Sequence, residues 1–179
     1  MKPIGHPMKN ILLLFLLFTL NSCNCEKNQE TLTEKSTTVY YFIRHAEKDR
    51  SDPSNKDPEL TEAGEQRARK WSEIFDNITF DQIYSTSYKR TLRTAFYVSK
   101  KKNIPIETYD PSTLYSDSFK ENTLGNIVLV VGHSNTTPNF VNAILGKEQF
   151  NQIDDSNNGN LYVVTIIDNK KSVQLLTFN

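Results

Sequence analysis

Val39-Tyr40-Tyr41-Phe42-Ile43-Arg44-His45 is a run of β-branched and aromatic residues that ends in Arg-His. A second run, Ile127-Val128-Leu129-Val130-Val131-Gly132-His133, ends the same way. Short, continuous apolar runs rich in β-branched residues read as strands buried on both faces. In an open α/β sheet, ligands bind beyond the carboxyl ends of the strands. Two such strands, each followed by a histidine, aim both imidazoles at one crevice. Of the chain's three histidines, only His45 and His133 lie outside the amino-terminal segment.

Outward from these runs the pattern alternates strand and helix. Residues 49–59, with two prolines and several Asp, Ser and Asn, form a loop. A helix follows with Thr61 as its N-cap, and Ala68, Trp71, Ile74 and Phe75 recur at helical spacing to face the sheet. Ile83-Tyr84 is a short strand, 85–102 a helix, 104–109 a strand, and 112–120 a further helix. After the second long run come a helix over 139–145 and a closing hairpin of 161–167 with 173–178. This alternation predicts a three-layer α/β/α sandwich with a mostly parallel central sheet.

At 179 residues, with 23% charged and 37% hydrophobic content, the chain has the composition of one folded domain. Its formal net charge is zero, which gives no support for nucleic-acid binding through a basic surface. Residues 1–22 read as a signal peptide: Lys2 and Lys9 precede a nearly unbroken apolar run over 11–20, shorter than the roughly 20 residues a spanning helix needs. Leu20-Asn21-Ser22-Cys23 resembles a bacterial lipobox, so Cys23 is the expected lipidation site and the protein an extracytoplasmic, membrane-anchored lipoprotein; the alternative is an ordinary secretory signal. Cys23 and Cys25 are the only cysteines, one residue apart, a poor basis for a disulfide. Residues 23–37 form a polar tether and 38–179 the folded domain.

Three segments carry the chemistry: Arg44-His45-Ala46-Glu47-Lys48, the strand-to-helix stretch Tyr84-Ser85-Thr86-Ser87-Tyr88-Lys89-Arg90, and Gly132-His133-Ser134-Asn135-Thr136. Together they resemble the histidine phosphatase superfamily, also called phosphoglycerate mutase-like. Arg44-His45 matches its signature Arg-His followed by Gly or Ala and Glu. Leu60-Thr-Glu-Ala-Gly-Glu-Gln66 is similar to its Leu-Thr-x-x-Gly-x-x-Gln, with the Gln one place early. Arg90 falls on the family's second phosphate-pocket arginine and His133 on its second pocket histidine.

The resemblance implies the fold already read from the pattern, and a phosphatase without cofactor or metal ion. Guanidinium forks hold a phosphate dianion bidentately, which suits Arg44 and Arg90. A helix amino terminus near Ser87 would add oriented amides. Neutral His45 would attack phosphorus, giving a phosphohistidine that water hydrolyses, and His133 would hydrogen-bond the transferring oxygens. Ser134 and Asn135 either donate to the phosphate or cap the next helix. Glu47 and Lys48 either orient the loop or contact substrate, while Arg93 is expected in a surface salt bridge.

The general acid of many relatives lies between the second arginine and the second histidine. That interval offers Glu107, Asp110, Asp117 and Glu121, with Asp110, just after a strand, the best placed. The short interval from Arg90 to His133 leaves little room for a cap, so the expected substrates are phosphomonoesters or phosphorylated protein side chains. The rival expectation is a catalytically inactive lipoprotein that binds phosphorylated or anionic ligands in the same pocket.

Overall fold

The computed structural model describes Met1 and residues 37–178, so the signal segment, Cys23, Cys25 and nearly all of the expected tether lie outside the described residues. The chain divides after Leu32, and the folded domain belongs to the second unit, Thr33–Asn179. Its elements are β1 (Thr37–Arg44), α1 (Glu62–Ile74), β2 (Gln82–Ser85), α2 (Lys89–Lys102), β3 (Ile106–Thr108), α3 (Asp117–Thr123), β4 (Ile127–Gly132), α4 (Thr136–Leu145), β5 (Asn160–Ile167) and β6 (Lys170–Thr177). Among the described residues no helix is long and apolar enough to cross a membrane.

The strands form one six-stranded sheet in the order β3-β2-β4-β1-β5-β6. Pairings β2–β3, β2–β4 and β1–β4 are parallel, whereas β1–β5 and β5–β6 are antiparallel. The fold is thus the expected mostly parallel sheet with flanking helices. Alternation along the strands divides the core in two. Tyr40, Phe42, Val128 and Val130 meet Phe119 of α3 and Phe140 and Ile144 of α4 on one face. Ile43, Ile83, Leu129 and Val131 meet Trp71 of α1 and Ala95 and Val98 of α2 on the other. Period-2 side chains on central strands require apolar residues at every position, which is why both runs read as continuous.

This topology places the crevice. The chain leaves β1 through α1 toward β2 on one side, and leaves β4 through α4 toward β5 on the other. Between the adjacent carboxyl ends of β1 and β4 the connections diverge, the switch point at which open α/β sheets bind ligands.

Element ends differ from the sequence expectations for local reasons. Helix α1 is capped as expected, the Thr61 hydroxyl accepting from Gly64 N at 3.1 Å. Helix α2 begins at Lys89 instead of residue 85, because Ser85 still pairs with Val131 and Thr108 in the sheet. Helix α4 begins three residues earlier than expected, at Thr136, with Pro138 inside its first turn. A proline is tolerated there because first-turn amides have no intrahelical partner. Helix α3 starts at Asp117 instead of residue 112: Tyr115 takes a positive φ of 50°, and the Ser116 hydroxyl accepts from Phe119 N as the new cap. Strand β3 is three residues long instead of six. The closing hairpin turns through Asp168 and Asn169, both at positive φ, the geometry of a two-residue hairpin turn.

Candidate active site

His45 directly follows β1, and its backbone is fixed on three sides. His45 N donates to Gly132 O at 2.9 Å, Asn158 Nδ2 donates to His45 O at 2.8 Å, and Ala46 N donates to Thr94 Oγ1 at 2.9 Å. His133 follows β4, its amide donating to Thr136 Oγ1 at 3.0 Å. Gly132 permits this tight entry into α4: a Cβ there would lie 2.7 Å from Thr137 Oγ1 and 2.9 Å from the Tyr109 hydroxyl. The two imidazoles come to 5.6 Å between centroids, so the structure brings both histidines to one cavity of about 350 Å³.

The hydrogen bonds assign the tautomers. His45 Nδ1 lies 2.7 Å from the Ala46 carbonyl, which can only accept. Nδ1 therefore carries the proton, and Nε2 keeps its lone pair. At His133 the roles reverse: Arg90 Nη2, only a donor, faces Nδ1 at 3.4 Å, so Nε2 is protonated and donates to Thr86 Oγ1 at 2.9 Å. Burial pushes the His45 pKa down to about 3, with the charges of Arg44, His133 and Arg90 adding to it against the Ala46 bond. Burial, then Arg90, Lys48 and Arg44, push His133 down to about 4. Both rings are neutral at physiological pH.

Two buried arginines flank them. Arg44 is 1% exposed; its Nη1 donates to the carbonyls of Asp154, Asp155 and Asn157, and its Nη2 to Asp155 Oδ1 at 2.8 Å. Its Nε has no partner. Arg90 is 8% exposed, and its Nε and Nη1 are buried without a hydrogen bond, with Asp57 Oδ1 at 3.5 Å from Nη1. Burial lowers both guanidinium pKa values, opposed at Arg44 by its bond to Asp155 and at Arg90 by the charge of Asp57. Unpartnered buried donors are uncommon and call for an acceptor. Here three of them, all cationic, border one cavity.

Lys48, Ser134 and Asn135 also line the cavity. Asn135 is the N-cap residue of α4, yet its side chain makes no capping bond, which leaves it available to a ligand. One amide of the α2 start is committed within the protein: Lys89 N donates to Asp57 Oδ1 at 3.0 Å. Glu47 turns the other way, to Arg67 Nε at 2.7 Å, and so orients the loop. Arg93 pairs with Glu65 and Tyr97, away from the cavity.

Asp110 requires a correction. It lines a separate cleft with Glu107, and its Oδ1 accepts from Ser112 N at 2.8 Å. Bonds from the Ser112 backbone and side chain hold its carboxyl below the usual range, so it is ionised and not placed to donate a proton to a group in the cavity. Neither Asp117, paired with Lys120, nor Glu121 reaches the cavity.

Besides Pro111, three lining residues have no role in the sequence reading. Tyr88 stacks under Arg90, 4.4 Å from ring centroid to Cζ, and meets His133 edge-on at 5.0 Å. Thr136 receives the His133 amide. Asp155 is the one carboxylate on the wall among the described residues. Tyr88 and Thr136 lie within the segments that carry the chemistry, and Asp155 alone of the three had no signal there.

A family model described as histidine phosphatase superfamily (branch 1) matches residues 40–111, which include Arg44, His45 and Arg90. No curated protein matches the chain. Several solved structures share its fold. The protein histidine phosphatase SixA complexed with tungstate superposes with a TM-score of 0.61 at 15% identity, over 78% of this chain and 96% of that one. Phosphoglycerate mutase from Bacillus anthracis str. Sterne gives 0.62 at 14%, over 79% and 93%. The alpha-ribazole phosphatase from Shigella flexneri gives 0.60 at 12%, over 78% and 96%. At such identities the superpositions speak for the fold; the Arg-His signature within the matched segment speaks for the family. Over residues 40–111 the chain is thus similar to the histidine phosphatase superfamily, and its fold is that of the solved phosphatases and the mutase named above.

Proposed function

We propose that the chain is a phosphatase that hydrolyses phosphomonoesters or phosphorylated protein side chains through a phosphohistidine on His45. One observation carries this reading: the Nδ1–Ala46 bond leaves the Nε2 lone pair of a neutral, buried imidazole free, beside guanidinium donors that lack acceptors. A structural histidine needs no such cationic surroundings. The solved SixA relative held tungstate, an oxyanion of phosphate-like charge and shape.

In the reaction, His45 Nε2 attacks phosphorus, and the bond to the leaving oxygen breaks with its electron pair. Arg44 Nε and the free Arg90 nitrogens take the equatorial oxygens, and His133, its Nε2–H held by Thr86, keeps Arg90 in place through Nδ1. Preorganised donors of this kind supply most of the rate in phosphoryl transfer. Water then attacks phosphorus on the far side from Nε2, the P–N bond breaks, and inorganic phosphate leaves with the proton that water sheds. Asp155 is ionised, its carboxyl held low first by Arg50 and then by Arg44, so it cannot act as acid. The leaving oxygen must therefore depart without a protein proton, which favours aryl and other good leaving groups.

The same reading includes export and a lipid anchor at Cys23, resting on the amino-terminal sequence alone. Loss of membrane partitioning in Cys23→Ala is the expected result, and retained partitioning removes the anchor. The function is tested by hydrolysis of an aryl phosphate with chelator present, beside His45→Ala. Chelator-resistant turnover that vanishes in the variant supports it. Acid-quench trapping distinguishes the inactive binder, which takes up no labelled phosphate on His45.

A further inference from the structure

Asp155 is a carboxylate standing where an anion is wanted. Its Oδ1 accepts from Arg44 Nη2 at 2.8 Å, and its Oδ2 lies 3.1 Å from Arg50 Nη1. Asp155 belongs to the loop between α4 and β5, and Arg50 to the loop between β1 and α1, so the bridge joins two loops at the cavity's rim. The carboxylate is not what holds Arg44 in place. Three backbone carbonyls of the same loop already bind Nη1, and Arg44 sits at the end of a central strand. Nor is it a buried structural ion: its side chain is 68% exposed, and that of Arg50 is 51% exposed.

We propose that Asp155 is a built-in competitor for the substrate's phosphoryl group: it occupies Arg44 Nη2 when the site is free and passes to Arg50 alone when a phosphate takes its place. The proposal rests on the phosphatase reading only in taking Arg44 as an oxyanion ligand. Arg44 offers a phosphate its Nε and Nη2, since Nη1 is fully committed. A bidentate grip through that pair uses Nη2, one of whose two N–H groups, and much of whose charge, Asp155 already engages. Displacement is feasible because Asp155 does not become an unpaired charge: its second oxygen already faces Arg50, a half-exposed cation. The arrangement lowers affinity for inorganic phosphate, the product, as much as for substrate, so it tunes release as well as capture. It also screens the cavity against weaker anions, which must displace a carboxylate to enter.

The test is calorimetric titration of the full chain with inorganic phosphate. Removing the competing charge in Asp155→Asn should tighten phosphate binding about five- to tenfold, the scale of one charge-assisted hydrogen bond in a partly solvated site. Asp155→Ser repeats the test with a shorter side chain. If Asp155 instead positions Arg44, both variants bind phosphate more weakly; that result, unchanged affinity, or no binding by any of the proteins overturns the proposal. Arg50→Ala tests the transfer separately. It should weaken phosphate binding more in the wild-type background than in Asp155→Asn, and equal effects in both would also overturn it. Aryl phosphate turnover, followed in parallel, distinguishes the two readings. A shifted affinity without turnover removes the phosphatase and leaves the competitor, whereas turnover with unshifted affinity does the reverse.

Discussion

Acidification from pH 7 to pH 5 should cost the protein about 4 kcal/mol of folding stability, nearly all of it through His45 and His133. Their folded pKa values, about 3 and about 4, lie below the roughly 6.5 of an unfolded histidine. The unfolded chain therefore takes up protons that the folded one refuses. The stabilisation is complete above the unfolded value and is lost progressively as pH falls toward the folded ones. Between pH 7 and pH 5 the unfolded state gains about 2 kcal/mol per imidazole from proton binding, while the folded state gains almost nothing. Carboxylates barely enter, since groups titrating near 4 when unfolded contribute under about 0.1 kcal/mol each in this window. Urea midpoints at several pH values, for the wild type and for His45→Gln with His133→Asn, provide the measurement. The double variant should lose most of the pH dependence. A wild-type loss below about 1 kcal/mol, or an equal loss in the double variant, would refute the reasoning. It would mean that the imidazoles are protonated in the folded protein, and a protonated His45 has no lone pair with which to attack phosphorus.

Other consequences are narrower. Arg90→Ala, which removes two of the three unpartnered guanidinium nitrogens at the cavity, should lower kcat/KM for an aryl phosphate by about 100-fold or more while leaving the urea midpoint near wild type. Across a series of substituted phenyl and alkyl phosphates, rates should fall steadily as the leaving group becomes more basic; a flat series would reveal a general acid. Tyr88→Ala should raise KM for aryl substrates several-fold more than for acetyl phosphate, because the ring forms a partly exposed wall beside His133. Gly64→Ala should destabilise the fold by about 1–3 kcal/mol, read from denaturant midpoints, since its Cβ would fall 2.1 Å from the Glu47 carbonyl oxygen.

The parts of this molecule that were legible in its sequence are those set by short-range rules. Continuous apolar runs mark central strands, and His at their ends marks the crevice, because side-chain period and strand direction are local properties. Thr61 was legible as a cap because its hydroxyl bonds within one helical turn. What escaped depends on residues far apart. Asp155 meets Arg44 across a separation of 111 positions, and Asn158 holds the His45 carbonyl across 113. Nothing in the polar stretch 154–158 distinguishes these two from their neighbours. Asp110 illustrates the opposite error. A carboxylate just after a strand is in the right layer of the fold, but two residues later a free amide captures it, and short Asp side chains bond their own backbone readily.

The electrostatics of the pocket and its stability are one problem. Burying Arg44 and Arg90 with donors left over is unfavourable, since an unsatisfied buried polar group costs about 1–3 kcal/mol. The same burial, with the same cations nearby, is what keeps His45 neutral and its Nε2 free. Satisfying the arginines with fixed carboxylates would relieve the first penalty, but it would also fill the site and draw the imidazoles back toward protonation. The structure adopts an intermediate arrangement: Asp57 stands 3.5 Å from Arg90 without a hydrogen bond, and Asp155 binds Arg44 through one nitrogen only. The remaining deficit is made good when an oxyanion binds. Phosphate at about 100 times its dissociation constant should therefore stabilise the fold by about 2.7 kcal/mol. At the same phosphate concentration that stabilisation should fall sharply in Arg90→Ala, where two of the three donors that need the anion are gone and only Arg44 Nε remains.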